Sequence, residues 1–195
     1  EDRDANSKVW LGPGAYFDEA MNGFEYQVAT HMIWEDMLEK GLALSRSVHD
    51  RYHPLMRNPY NEIECSDHYS RSMASYGVLL AVCGFDYHGP KRSITFSPKL
   101  NPENFKAPFT AAQGWGSFSQ KIDKGNQECH IELKYGKLDL IEVNLHTELQ
   151  SITEVNVIFK EKNLVADFEQ DGTKIKIAFE NLALNEYDKI SIEMS

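Results

Sequence analysis

The chain has 195 residues, enough for one domain or two small ones with a buried core, and its 42% apolar and 26% charged content is ordinary for a globular protein. Its 20 basic and 30 acidic residues leave a net charge of -10 with no Lys/Arg cluster, which excludes a nucleic-acid partner, since a phosphate backbone calls for a basic surface. No apolar run approaches the roughly 18 residues of a membrane span, and the charged Glu1-Asp2-Arg3-Asp4 start is unlike a signal peptide.

Helical spacing comes first. Phe24, Val28 and Met32 fall four apart, with Tyr26, Ala29, Ile33 and Met37 in a neighbouring stripe, predicting a helix from Asn22 to Leu38 that Gly41 ends. Leu44, Val48 and Tyr52 predict a second helix from about Leu42 to Tyr52. His53-Pro54 and Arg57-Asn58-Pro59 then mark an irregular loop. Asp67 is the expected N-cap of a third helix, whose stripe is Tyr69, Met73, Tyr76, Gly77, Leu80 and Cys83, and which Gly84 closes. The helices are apolar on more than one side, a pattern that asks for further packing layers.

From Ser93 onward the period is two. Ile94 and Phe96, Ile131 and Leu133, and Leu138 to Leu145 read as strands. Val155 to Phe159, Ile175 to Phe179 and Ile190 to Met194 continue the series. With turn residues at Gly125-Asn126, Tyr135-Gly136-Lys137 and Asp171-Gly172, they predict five to eight strands in an antiparallel sheet or small sandwich. The stretch from Pro98 to Trp115 reads as a long connection pinned to the helical part by its aromatic residues. The division expected is therefore residues 1–90, helical, and residues 91–195, β-rich.

Chemistry concentrates in residues 57–71, which hold two Arg, two Glu, an Asp, a His and two Tyr. Carboxylates that accept from hydroxyls, a guanidinium fork and aromatic faces are what sugar recognition needs. Glu62 and Glu64, two apart on one loop, are poorly placed to flank a scissile bond as a catalytic pair. A solvated turn closed by an Arg–Glu pair is the competing reading of the same residues. Glu35 and Asp36 could flank a cleft, although solvated helix-face acids are commoner. The histidines show no metal-ligand spacing, the serines no GxSxG elbow, and Cys65, Cys83 and Cys129 no CxxC pair, so free thiols and no metal or cofactor are expected.

Three segments in order resemble one family. Gly23-Phe24-Glu25-Tyr26-Gln27-Val28-Ala29 with His31-Met32-Ile33-Trp34, then Arg57-Asn58-Pro59-Tyr60-Asn61-Glu62-Ile63-Glu64-Cys65, then His68 to Tyr76 are similar to segments of glycoside hydrolase family 116, which holds bacterial β-glucosidases and the non-lysosomal glucosylceramidase. The resemblance implies an α+β chain in which the C-terminal helices of an (α/α)6 barrel precede an antiparallel β-rich module. It implies a retaining β-glycosidase acting on a β-glucoside-like carbohydrate without a cofactor. Glu62 and Arg71 would bind the sugar in the glycone subsite, and the nucleophile and acid/base would lie upstream of this stretch. No residue here is assigned a catalytic role. The remainder of the catalytic domain, in the same or a separate chain, is then the expected partner; the chain does not begin with Met, so its start is expected upstream. The alternative is a non-catalytic carbohydrate-binding or structural module.

Overall fold

The computed structural model describes residues 21–52, Leu55 and residues 71–195. The predicted N-cap Asp67, the Arg57-Asn58-Pro59 loop, Cys65 and Glu62 lie outside the described residues. Among the described residues three α-helices, α1 (Asn22–Trp34), α2 (Leu38–Asp50) and α3 (Ser75–Cys83), precede the strands, and a 3₁₀ turn, Arg71–Ala74, leads into α3.

The predicted first helix breaks earlier than Gly41. The Met37 N–H reaches the Met32 carbonyl and the Asp36 N–H that of Ile33, a Schellman closure in which Asp36, at φ +59°, takes the left-handed position usually given to Gly. Gly41 instead sits buried inside α2, against Ile33 of α1. Two ties hold the far ends of this helix pair together: Asn22 Nδ2 donates to the Tyr52 hydroxyl at 2.9 Å, and the Arg51 guanidinium grips the Glu25 carboxylate with both terminal nitrogens.

Eleven strands follow among the described residues. They are β1 (Asp86–His88), β2 (Ser93–Phe96), β3 (Asn104–Ala111), β4 (Gly114–Asp123), β5 (Asn126–Gly136) and β6 (Leu138–His146), then β7 (Val155–Phe159), β8 (Lys162–Leu164), β9 (Ala166–Asp171), β10 (Lys174–Leu184) and β11 (Lys189–Met194). They form a five-stranded sheet, β1-β2-β6-β10-β9, and a six-stranded sheet, β3-β4-β5-β11-β7-β8. Alternation is the reason. Phe105, Ala107 and Phe109 on β3, Phe118 on β4, Cys129, Ile131 and Leu133 on β5, and Ile175 and Ile177 on β10 all turn inward, and intervening residues face out. The core closes around Phe96 and Phe118, stacked at 4.0 Å between centroids and inclined by 4°. A polar pair shares it: Gln127 Nε2 donates to Gln120 Oε1 and to the His146 carbonyl, at 2.9 and 2.8 Å.

The expected architecture, terminal helices of an (α/α)6 barrel followed by an antiparallel module, is overturned by this arrangement. The chain is mainly β-sheet, and its dominant core lies between two sheets rather than within helical layers. A helical apolar stripe reports that a face is covered, not what covers it. Here Ala29, Ile33 and Val48 are buried where α1 packs with α2 and α3, while Leu79 in the middle of α3 and Phe85 just beyond its end reach the sandwich core. The sheets are also not wholly antiparallel: β2 runs parallel to β6, with Ile94 opposite Val143. The stretch from Pro98 to Trp115 holds β3 and the start of β4. Its Phe105 and Phe109 point into the sandwich, and Trp115 is half exposed rather than pinned to the helices.

Candidate functional site

Of the two residues that the resemblance marks as sugar-binding, Arg71 is described and Glu62 is not, so the distance between them is not fixed by the described residues. Arg71 opens the 3₁₀ turn before α3. Its guanidinium carbon lies 5.1 Å from the centroid of the Phe24 ring, the geometry of a cation–π contact. Gly23 permits this approach: a Cβ there would stand 2.9 Å from both Cβ and Cδ of Arg71. The Glu25–Arg51 and Asn22–Tyr52 ties anchor the first turn of α1, and thereby set where Phe24 presents its face.

Together these side chains line an open groove of about 550 Å³, with Gln27, Thr30 and Met73 on its walls and Tyr76 at its rim. Phe24, Met73 and Tyr76 are exposed, at 49%, 78% and 44%, an unusual surface for large apolar groups. The Tyr76 hydroxyl lies 3.0 Å from Thr110 Oγ1 on β3, which couples this rim to the six-stranded sheet. A planar multidentate donor beside aromatic faces can hold a polyhydroxylated ring: the donors engage oxygens and the rings cover C–H faces.

A second cavity, of about 650 Å³, lies on the outer face of the five-stranded sheet and was not signalled by any motif. Register builds its floor. Thr95, Asn144, Lys176 and Glu169 stand side by side on β2, β6, β10 and β9, and His146, Lys174 and Asp171 form the next row. Lys99 bonds Asp36 at 2.5 Å across the wall, so Asp36, read as a solvated helix acid, does flank a cleft. Burial, and then the charge of Lys99, hold the His146 imidazole below its usual pKa. Only the polar outward positions of the strands hinted at this face.

Among the described residues no group of three His, Cys, Asp or Glu side chains could hold a metal ion, and no helix is long and apolar enough to cross a membrane. Cys83 and Cys129 are free and buried.

Comparison with known proteins adds little. No family model matches the chain, and no curated protein matches it. Seven solved chains do. One is the α-L-rhamnosidase from Dictyoglumus thermophilum, a glycoside hydrolase, with a TM-score of 0.36 and 13% identity over 69% of this chain. The matched region is 15% of that enzyme's length. No family match supports membership of family 116.

Proposed function

We propose that this chain is a saccharide-binding part of a retaining β-glycosidase, with Arg71 and Glu62 holding the glycone and the nucleophile and acid/base supplied by residues outside the chain. The observation that carries the reading is the placement of the Arg71 guanidinium over Phe24 in an open groove edged by Tyr76. Phe24 seats the donor fork from a segment 47 residues away in sequence (71 minus 24), and the exposed Tyr76 ring offers the aromatic face that covers sugar C–H groups. The three sequence segments that resemble family 116 support the same reading, since Arg71 falls at the family's glycone-binding position.

In this role Arg71 and Glu62 would tighten on the glycone hydroxyls as the ring distorts, which lowers the barrier rather than merely the ground state. The test is kinetic. In the complete enzyme, Glu62→Ala and Arg71→Ala should each lower kcat/KM on an aryl β-glucoside by about tenfold or more, the worth of a hydrogen bond to a charged group. Unchanged kinetics for both variants would sink the assignment.

A second reading, a non-catalytic carbohydrate-binding or structural module, draws on one observation. The sandwich core runs from Cys83 to Met194 and includes no residue of α1 or α2. Absence of aryl β-glucoside hydrolysis by the full native polypeptide would favour it over the first.

A further inference from the structure

Seven aromatic side chains stand exposed among the described residues: Tyr76, Trp115 and Tyr135, and also Phe24, Trp34, Phe168 and Tyr187. The first three are not scattered. Thr110 on β3 pairs with Trp115 on β4, and Trp115 pairs with Tyr135 on β5, so these three residues form one row across neighbouring strands. The row lies on the outer face, because Phe109, Gly116 and Leu133 beside it are buried. Its inner end is the Tyr76–Thr110 contact at the rim of the Arg71 groove.

Tyr135 belongs to this row only because of a backbone irregularity. On β5, Gln127, Cys129, Ile131 and Leu133 all face the core, and strict alternation would send Tyr135 there too. The register slips between the pairs Trp115–Tyr135 and Gly116–Leu133, and this extra residue turns Tyr135 outward, opposite Trp115. A bulge commonly re-aims one side chain, and here the outcome is a second exposed ring beside the first.

We propose that the saccharide site continues from the Arg71 groove along Tyr76, Trp115 and Tyr135, so that the ligand is an oligosaccharide rather than a single sugar with a small aglycone. This rests on reading the Arg71 groove as a saccharide site. Neighbouring strands are about 4.8 Å apart, so Thr110 to Tyr135 spans roughly 10 Å, a distance on the scale of a disaccharide. The strip is also the wrong shape for a protein partner. It is one residue wide, bordered on the same face by the row Pro108, Ser117 and Glu132, with Lys134 beside Tyr135, whereas a stable protein interface needs about 800 Å² per side around an apolar centre. Tyr and Trp offer flat apolar faces with a polar edge, which suits sugar rings presented one after another.

Titration calorimetry of the intact protein with the series from cellobiose to cellohexaose tests this. Affinity should rise with length, Trp115→Ala and Tyr135→Ala should each weaken cellohexaose about three- to tenfold while leaving cellobiose unchanged, and Arg71→Ala should weaken every length. Full cellohexaose affinity in both aromatic variants overturns the extended site while an Arg71 effect upholds the groove. A Trp115 effect without an Arg71 effect upholds the aromatic row and overturns the groove reading. A wild-type protein that binds no member of the series, or binds all equally, overturns the extended site. Both aromatic positions are exposed, and unchanged thermal melts of the variants confirm that they fold.

Discussion

The guanidinium of Arg71 lies over the face of Phe24 at 5.1 Å from its centroid, so a group in the 3₁₀ turn before α3 is oriented by a ring on the first turn of α1. Neither residue makes the groove alone. The pairing depends on Glu25 and Asn22, which tie that first turn to Arg51 and Tyr52 at the end of α2.

Arg71→Lys keeps the charge yet should lose most of the binding. Lysine has no planar fork and stacks less well on an aromatic face, so affinity for methyl β-glucoside should fall about tenfold, consistent with hydrogen bonds to charged groups contributing about 1.5–3 kcal/mol. Phe24→Leu, which retains apolar cover but not the ring face, should weaken binding less than Arg71→Lys. Calorimetry reads both, and a Lys variant that binds like wild type contradicts the fork.

Gly84 turns the chain from α3 into β1 at φ +53°, and a Cβ there would lie 2.1 Å from the Ser97 carbonyl oxygen. Gly84→Ala therefore combines left-handed strain with a backbone clash and should destabilise the fold by about 2–5 kcal/mol in urea unfolding. A loss below 1 kcal/mol would mean that the turn relaxes freely.

Burial pushes the Cys83 thiol up to about 11 and that of Cys129 up to about 12. At about pH 8 both should be protonated and inert toward Ellman's reagent in the native protein, and both should react once it is denatured. Peptide mapping of the labelled sites checks this; rapid native labelling of either contradicts the packing.

Stability should fall as the pH drops below about 6.5, the value for an unperturbed imidazole. Burial and Lys99 lower the folded-state pKa of His146, while Glu148 and Asp36 oppose them more weakly. Burial likewise lowers that of His130. Just below about pH 6.5 the unfolded chain therefore binds protons that the folded chain refuses, and acid favours unfolding. Melting temperatures measured from about pH 7.5 to 5 should decline, and His146→Gln should flatten part of that decline. An unchanged slope in the variant would remove His146 from the explanation.

Much of the β half was legible in the sequence because period-two alternation is a local signal. Ile94 and Phe96, Ile131 and Leu133, and Ile190 with Ile192 each predicted a strand and its inward face, and the structure buries all of them. Of residues 57–71 only Arg71 is described, and it lines a groove with Phe24. What sequence could not decide is how these faces meet. The helical stripes suggested more helical layers, but local periodicity carries no information on the covering partner, and here the chain's main core forms between two sheets. The parallel pairing of β2 with β6 depends on contacts about 50 residues apart, from Ile94 to Val143. The outward turn of Tyr135 depends on one slipped residue pairing against β4. Alternation is written into the chain; register, sheet order and the meeting of Arg71 with Phe24 arise only when distant segments pack.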